Sequence, residues 1–371
     1  MQSKSLRDTW VEINLNHIKH NIKEILSLYQ SDKKVYAVVK ADAYGYGDIE
    51  VSKAAIEAGA KGLAVAILDE AIRLREVFPD IPILVLGWTS PQHANLAAEH
   101  DITLTIFQLD WVKEVKAVLK HENLQVHLKI DTGMGRIGIR SIEEAYDVIT
   151  ECSSSNVKIT GLYTHLATAD HEKSDYVHYQ ISAFKDYVKE IESMLPTPVE
   201  KHIGNSAASI VYSEEMFDAI RLGLGMYGLY PTHTVKDLAT IELKPSFSLY
   251  SRLIHVKQVK KGDYISYSQT YQAEEDEWIG TIPIGYGDGL PRRLQNFQVL
   301  INGEKATIVG RICMDQTMVK LKKPYKIGTK VTFIGQDQNE QITMEEMAEY
   351  LGTIPYEVSC HISKRVPRIY T

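Results

Sequence analysis

The sequence predicts an α/β protein in which an N-terminal (β/α)8 barrel of the TIM type precedes a C-terminal, mainly β domain. Two observations lead to this prediction. Short apolar segments alternate with amphipathic helical patterns up to about Gly225, which is typical of a parallel sheet. After Pro231 the helical patterns mostly vanish, and short alternating segments separated by turns replace them.

Eight strand–helix units over roughly 200 residues suggest that the parallel sheet closes into a barrel. The predicted barrel strands are Val35–Val39, Leu63–Ile67, Ile83–Leu86, Ile102–Ile106, Val126–Ile130, Ile159–Tyr163, Val199–Ile203 and Ala219–Leu222. The predicted helices between them include Ile49–Ala58, Asp69–Val77, Leu109–Leu119, Ser141–Glu151 and Tyr176–Met194. Because periodicity does not distinguish a closed barrel from a doubly wound open sheet, the open sheet stays an alternative.

The C-terminal part is predicted to be a β domain with one helix, around Met344–Leu351. Its predicted strands are Phe247–Val256, Gly280–Ile284, Gln298–Ile301, Ala306–Arg311, Thr317–Leu321 and Lys330–Ile334. We expect the domain boundary near Pro231–Thr240. The barrel would then span residues 10–235, and the β domain would span 236–371 together with the first few N-terminal residues.

Composition narrows the class of function. The chain has 371 residues, a formal net charge of −7 and 24% charged residues, which argues against a nucleic-acid partner. No run of about 18 apolar residues is present, and the N-terminus lacks the apolar stretch of a signal peptide. Three scattered cysteines form neither a disulfide framework nor a metal-site spacing. We therefore expect a cytoplasmic protein without a metal site or a membrane partner.

Chemistry in such a barrel belongs at the C-terminal ends of the strands. Lys40 ends the first predicted strand and enters a glycine-rich loop, so partial desolvation would lower its pKa and favour a Schiff base. A lysine that merely closes the strand and reaches water is the alternative, and the pattern leaves both open. Tyr44, four residues further on, would reach a phosphate or orient the lysine.

The loops after the last two barrel strands predict a phosphate site. Gly204-Asn205-Ser206 opens a helix after the seventh strand, and Gly223-Leu224-Gly225 follows the eighth. Barrels often bind phosphate with these loops through backbone N–H groups. Ser206 is expected to cap the helix, and it would also donate to a phosphate oxygen.

Arg221 lies between these two loops as a permanent cation. A buried arginine usually pairs with a carboxylate, which is one interpretation. The other pairs Arg221 with a pyridine nitrogen, which would stay unprotonated because arginine does not readily give up a proton. The cofactor would then be a weaker electron sink, and side reactions such as transamination would be suppressed.

These residues resemble an ordered set of motifs in a known family. The segment Ala37-Val38-Val39-Lys40-Ala41-Asp42-Ala43-Tyr44-Gly45-Tyr46-Gly47 resembles the cofactor-lysine signature of bacterial alanine racemases. The likeness continues through Lys129–Gly138, Gly161–His165, His202–Ser209, Ile220–Gly223, Ile265–Tyr267, Pro283–Gly289, Gly310–Asp315 and Ile354–Glu357. A lone lysine motif is weak, but this set extends across both predicted domains.

The resemblance implies a pyridoxal 5'-phosphate enzyme that racemises alanine and forms a homodimer with shared active sites. Lys40 would carry the cofactor and serve as one base, and Tyr267 from the partner subunit would be the other. The implied cofactor-binding residues are Lys40, Tyr44, His165, Asn205, Ser206, Arg221, Gly223, Leu224 and Tyr356. The implied substrate contacts are Arg136, Met314 and Tyr286. The implied supporting residues are His202, Lys129 and Asp315.

The alternatives are a racemase of another amino acid such as serine or lysine, and a carrier or sensor of pyridoxal phosphate. A barrel decarboxylase is disfavoured, because such relatives usually place an acidic partner at the pyridine nitrogen. Two departures from the family pattern leave loop geometry open, since Leu222 and Ser268 stand where proline and glycine are common. In some members a lysine at the position of Lys129 is carbamylated. The role implied by the family is to supply D-alanine for cell-wall precursors.

Overall fold

The computed structural model describes residues 6–30, 33–120, 123–171 and 175–371. Within them, eight parallel strands close into a barrel. The barrel strands are β2 (Lys34–Val38), β3 (Gly62–Val65), β4 (Ile83–Val85), β5 (Thr103–Ile106), β6 (Leu124–Lys129), β7 (Val157–Tyr163), β8 (Glu200–Gly204) and β9 (Ala219–Leu222). Pairing of β9 with β2, in which Lys34 lies opposite Ala219, completes the cylinder. The predicted barrel is therefore confirmed, and the open-sheet alternative is wrong.

The helices around the barrel bury one face each. In the helix Leu15–Ser27 the buried positions Ile18, Ile22 and Ile25 recur every three to four residues, which is the period of an amphipathic helix. The remaining helices of this part are Asp48–Glu57, Leu68–Val77, Ala94–Glu99, Leu109–Val118, Ile142–Ser153, Asp175–Glu192, Ser206–Val211 and His233–Leu238. In the described part of the chain, no helix combines the length and apolar character needed to cross a membrane.

The remaining strands form mainly one sheet, in which one terminal pair is parallel and the other pairs are antiparallel. They are β1 (Thr9–Ile13), β10 (Phe247–Arg252), β11 (His255–Val259), β12 (Tyr264–Ile265), β13 (Tyr271–Gln272), β14 (Glu277–Ile282), β15 (Gln298–Ile301), β16 (Glu304–Ile308), β17 (Thr317–Leu321), β18 (Lys330–Asp337), β19 (Glu340–Ile342) and β20 (Arg368–Tyr370). The sheet runs β11-β14-β17-β16-β15-β18-β10-β1-β20, and β12 pairs with β13 separately. Two helices, Met344–Leu351 and Pro355–His361, accompany it.

One predicted strand is two strands. We predict a continuous strand Phe247–Val256, but the chain changes partner at Leu253-Ile254. Leu253 N donates to Thr329 O, whereas Ile254 N donates to Thr281 O. Strand β10 is mostly buried and β11 is mostly exposed. The apolar Leu253 and Ile254 nevertheless continue the strand pattern through this switch, so the sequence does not show the break.

The chain divides into two units, each described by itself below. The barrel unit comprises Asn16–Ala43 and Asp48–Pro245, and the β unit comprises residues up to Leu15, Tyr44–Gly47 and Ser246–Thr371. The division thus follows Pro245, ten residues beyond the predicted limit of 235. Residues before it stay with the barrel because Lys244 N donates to Asn21 Oδ1 at 2.7 Å and Leu243 N donates to the Tyr230 hydroxyl at 3.0 Å.

Candidate active site

Lys40 lies directly after β2, at the C-terminal end of the barrel, where a left-handed turn begins. Four consecutive non-glycine residues, Ala41, Asp42, Ala43 and Tyr44, have φ angles of 53°, 55°, 52° and 57°. Each such residue costs roughly 1–2 kcal/mol, so the turn persists only where its surroundings hold it. The chain is therefore strained directly beside the candidate lysine.

Glu70 holds this turn from the neighbouring helix Leu68–Val77. Its Oε1 accepts from Ala41 N at 2.7 Å, and its Oε2 accepts from Ala66 N at 2.9 Å and Ile67 N at 3.3 Å. One carboxylate thus caps its own helix and fixes the start of the Lys40 loop. The sequence analysis missed Glu70. A glutamate at the third position of a helix is a recognisable capping signal, but its bond to Ala41 is visible only in three dimensions.

Arg221, on β9, is buried among hydrogen-bond acceptors. One terminal nitrogen donates to Thr164 O at 2.9 Å and to Ile203 O at 3.2 Å. The other donates to His202 Nδ1 at 2.7 Å and to His202 O at 3.1 Å. Within the described ranges no carboxylate forms an ion pair with Arg221, so the interpretation as a structural ion pair is wrong. Burial lowers the pKa of Arg221 to about 10, which leaves it a cation at neutral pH.

Neutral bases surround this cation. Burial, with Arg221 next in importance, holds the pKa of His165 and of His202 well below the usual range. His165 Nδ1 lies 3.4 Å from a terminal nitrogen of Arg221. Burial also lowers the pKa of Lys129 to about 7, and Arg221 and Arg136 contribute to the shift. The end of the barrel therefore suits a ligand that offers lone pairs or negative charge.

Arg136 is exposed on the loop that follows β6. Asp131 shapes this loop, because its Oδ1 accepts from Gly133 N at 3.1 Å and from Gly135 N at 2.9 Å. The loop backbone is thus fixed while the guanidinium of Arg136 extends toward solvent. Such an arrangement suits contact with a small anionic group that enters from outside.

Asn205, rather than Ser206, caps the helix Ser206–Val211. Asn205 Oδ1 accepts from Ala208 N at 3.0 Å, so the predicted capping role of Ser206 is wrong. Asparagine lies one position earlier, where a cap must lie to reach the first turn. The buried Ser206 Oγ accepts instead from Gly223 N and Gly225 N, each at 3.1 Å. Ser206 therefore joins the two loops that were predicted to bind phosphate.

In the β unit, Tyr44 and Tyr356 lie together with their ring centroids 5.6 Å apart. Tyr44 is partly buried, and burial raises the pKa of its hydroxyl far above the usual range. Its phenol is therefore a neutral hydrogen-bond donor at neutral pH. The two residues predicted to bind phosphate from this unit are thus neighbours.

Tyr267, Tyr286 and Met314 are exposed on the β unit at 69%, 43% and 53% of their surface. Tyr267 lies on a turn in which Ser266 and Ser268 have positive φ angles of 68° and 59°. The turn is held by Ser266 Oγ, which donates to Arg311 O at 2.5 Å. These large side chains stand in solvent in a single chain.

The loops that carry Tyr286 and Met314 are joined. Tyr286 N donates to Cys313 O at 3.0 Å, and Gly287 N donates to Met314 O at 2.9 Å. The fully buried Asp288 supports both loops through bonds to charged side chains and backbone. Its partners are Arg7 at 2.6 and 3.1 Å, Gly285 N at 3.1 Å, and Arg365 at 3.4 Å, and Arg365 in turn bonds Asp315 at 2.7 Å. Asp315 was expected from the sequence as a supporting residue, whereas Asp288 was not among the predicted site residues.

Comparisons with known proteins agree along the whole chain. Residues 13–231 match the family described as alanine racemase, N-terminal domain, and residues 246–370 match the C-terminal domain family. The alanine racemase of Anoxybacillus flavithermus is 48% identical, covering 100% of this chain and 96% of that protein. The one from Geobacillus stearothermophilus is 48% identical, covering 98% and 94%.

Solved structures show the same architecture. The alanine racemase of Bacillus anthracis with bound L-Ala-P superposes with a TM-score of 0.97 at 43% identity, covering 100% of this chain and 96% of that one. A histidine racemase from Leuconostoc mesenteroides superposes with a TM-score of 0.91 at 34% identity, covering 100% of both chains. Proteins named for two different amino-acid substrates therefore share this fold.

Proposed function

The chain belongs to the alanine racemase family, and from this premise we propose that it interconverts L-alanine and D-alanine with pyridoxal 5'-phosphate as its cofactor. The observation that supports the proposal most is Arg221, a buried cation at the end of the barrel among carbonyls and neutral histidines. Lys40 follows another barrel strand at the same end. A positively charged hydrogen-bond donor and an amine at this end of the barrel suit a cofactor that has a basic ring nitrogen and an aldehyde.

Ser206 tests whether a phosphate fits. A hydroxyl has two acceptor lone pairs and one donor proton. Both acceptor positions are engaged by Gly223 N and Gly225 N, so the remaining capacity of the buried Ser206 is to donate. A phosphate oxygen only accepts at neutral pH, so the residues fit the group. We propose that Ser206, Gly223 and Leu224 hold the phosphate with Asn205 supporting the loop. Tyr44 and Tyr356 stay proposed cofactor-binding residues, as the family implies.

Arg221 would determine the protonation of a pyridine nitrogen that faces it. Its guanidinium donates and does not accept, and its pKa of about 10 keeps the proton on the arginine at working pH. A pyridine nitrogen facing Arg221 would therefore stay unprotonated. His165, also neutral, would lie beside the ring without adding charge. This arrangement would favour proton return to the α-carbon over transfer to other positions.

Two groups of the protein would move the proton. Bound pyridoxal phosphate would delocalise the charge that remains when the α-proton leaves. Lys40, which would hold the cofactor at rest, would serve the D-side with its Nζ, and Tyr267 would serve the L-side with its hydroxyl. A tyrosine base needs a positive neighbour to be ionised near neutral pH. Arg136 and His165 are the two candidate neighbours, and because His165 is neutral, Arg136 is favoured.

We propose a homodimer in which each subunit supplies Tyr267 to the other's site. The exposure of Tyr267, Tyr286 and Met314 supports this, because large apolar groups in one patch usually mark an interface. Mixing inactive Lys40→Ala and Tyr267→Phe subunits should restore partial activity, since each mixed dimer then contains one intact site. No rescue after verified subunit exchange would contradict shared sites.

The substrate is proposed to be alanine, with a narrow entrance formed by Tyr286 and Tyr356 and a carboxylate contact from Arg136 and Met314. The relatives named alanine racemase support alanine over serine and lysine. Because apolar pockets discriminate a methyl from a hydroxymethyl group weakly, serine is still assayed beside alanine, together with lysine. The similarity to a histidine racemase adds histidine to the panel to be assayed. The proposed setting is the cytoplasm, where D-alanine would supply cell-wall precursors.

The Lys40→Ala variant tests the proposal. We expect loss of the near-visible absorbance of the bound cofactor and of essentially all racemisation. Tyr267→Phe should keep the absorbance but damage turnover from L-alanine. A protein that binds the cofactor but turns over no amino acid would support instead the carrier or sensor alternative.

A further inference from the structure

His127 extends the hydrogen-bonded series that ends at Arg221. It lies on β6 and is buried, with its Nδ1 2.9 Å from His202 Nε2. His202 Nδ1 in turn lies 2.7 Å from a terminal nitrogen of Arg221. Three side chains from β6, β8 and β9 thus form one line inside the barrel. No residue of the line is a carboxylate.

The donors and acceptors available on these three side chains allow only one direction for the hydrogen bonds that join them. Arginine only donates, so His202 Nδ1 must accept and carry no proton. A neutral His202 then carries its proton on Nε2 and donates it to His127 Nδ1. Burial lowers the pKa of His127 to about 3, with Lys34 and Arg221 adding to the shift, so His127 is neutral and able to accept. The tautomer of each ring is determined by the next residue in the line.

The surrounding residues hold both rings in place. The ring of Tyr163 stacks on His202 at a centroid distance of 4.7 Å and an interplanar angle of 13°. Tyr36 packs against His202 at 5.6 Å and edge-on against His127 at 6.4 Å. A Cβ at Gly161 would lie 2.6 Å from three ring atoms of His127. Glycine at 161 therefore makes the space that His127 occupies.

We propose that His127 is a positioning residue for Arg221, because accepting the Nε2 proton of His202 fixes the His202 tautomer that Arg221 needs. The consequence for the cofactor rests on the proposed function, whereas the line of hydrogen bonds is a property of the protein alone. Gly161 contributes to the same positioning of His127, since a larger residue at 161 would displace the His127 ring.

The first test uses the unmodified protein labelled with ¹⁵N-histidine. NMR should show His202 protonated on Nε2 and bare on Nδ1, both with and without pyridoxal phosphate, and the same tautomer for His127. A proton on His202 Nδ1 would overturn the proposal. If the protein fails to bind pyridoxal phosphate, the proposed function is wrong, but this tautomer result still decides the hydrogen-bonded line.

The second test compares His127→Leu with His127→Asn, because the Asn oxygen lies near the place of Nδ1 and still accepts. We expect His127→Leu to shift the His202 ¹⁵N signals and to lower protein stability, because one buried donor is left unpaired. It should also weaken cofactor binding about tenfold, because Arg221 is no longer held in position. His127→Asn should stay within about twofold of the parent protein. Gly161→Ala should resemble His127→Leu although it changes no polar group. Equal damage by Asn and Leu, or no shift of His202 with Leu, would refute the role.

A bound metal ion is the alternative role for the cluster that contains His127 and His202. His127, His202 and Glu200 offer three ligand atoms within 4.8 Å of one another. Glu200, however, already accepts from the Tyr36 hydroxyl and from Lys34 Nζ, each at 2.6 Å. We therefore expect added Zn²⁺ to leave the signals of both histidines unchanged. Stoichiometric binding that moves both signals would contradict the line of neutral histidines.

Discussion

Replacing Ser206 with alanine should destabilise the protein even without cofactor. Ser206 Oγ is buried and is the acceptor of Gly223 N and Gly225 N. Its removal leaves two buried N–H groups unsatisfied, at roughly 1–3 kcal/mol each. Since water partly solvates such a gap, we expect a loss of about 2–4 kcal/mol in the free energy of unfolding.

Ser209 provides a matched control in the same helix. It is fully buried too, but its Oγ has no hydrogen-bond partner among the described residues. Ser209→Ala should therefore be neutral or slightly stabilising. The assay is chemical denaturation of both variants without pyridoxal phosphate, followed by titration of the cofactor. If Ser206→Ala costs no more stability than Ser209→Ala, or binds the cofactor as tightly as the parent, the reasoning about this hydroxyl is refuted.

Four further predictions concern single residues. The pKa of Lys129 is about 7 in the folded protein and 10.5 ordinarily, so the unfolded chain binds more protons between these two pH values. The free energy of unfolding should therefore rise with pH from about 7 to 10.5. Denaturation at several pH values should show this rise, and Lys129→Met should flatten it. The neutral amine should also add CO₂ and release a proton, giving a ¹³C carbamate signal from labelled bicarbonate; a bare ammonium at Lys129 would exclude this. Asp288→Asn should raise KM for alanine more than it lowers kcat, because Asp288 supports the loops of Tyr286 and Met314, and an unchanged KM would contradict that role. Ser268→Gly should raise the midpoint of denaturation by relieving a left-handed φ of 59°, a gain of about 0.5–1 kcal/mol after the entropy of glycine is subtracted, and a lower midpoint would refute the strain.

The barrel could be predicted because its strands are buried on both sides and therefore form continuous apolar runs. Strand β9 was placed at its observed bounds, Ala219–Leu222, and the others within a few residues. The helices Ala94–Glu99 and Pro355–His361 were missed. They have too few turns for an amphipathic period to be distinguished from a loop.

The positions of Lys40 and Arg221 at the C-terminal end of the barrel could be predicted from residue type and strand pattern. The supporting residues could not. His127 stands out as a polar residue within an apolar strand, but its partner His202 is 75 residues away. Glu70 and Gly161 act on backbone and ring atoms that only the closed barrel brings near them. Residue type and strand position therefore predict side chains at the end of the barrel better than they predict the residues that hold those side chains in place.

The proposed two-base racemisation of alanine is tested by incubating the protein with pyridoxal phosphate and L-alanine in heavy water, with serine, lysine and histidine in parallel. Chirality and deuterium at the α-carbon are followed together. We expect the protein to form D-alanine that carries deuterium at the α-carbon. Exchange of the α-proton without any D-product would contradict the two-base assignment of Lys40 and Tyr267, and turnover of another amino acid but not alanine would contradict the proposed substrate.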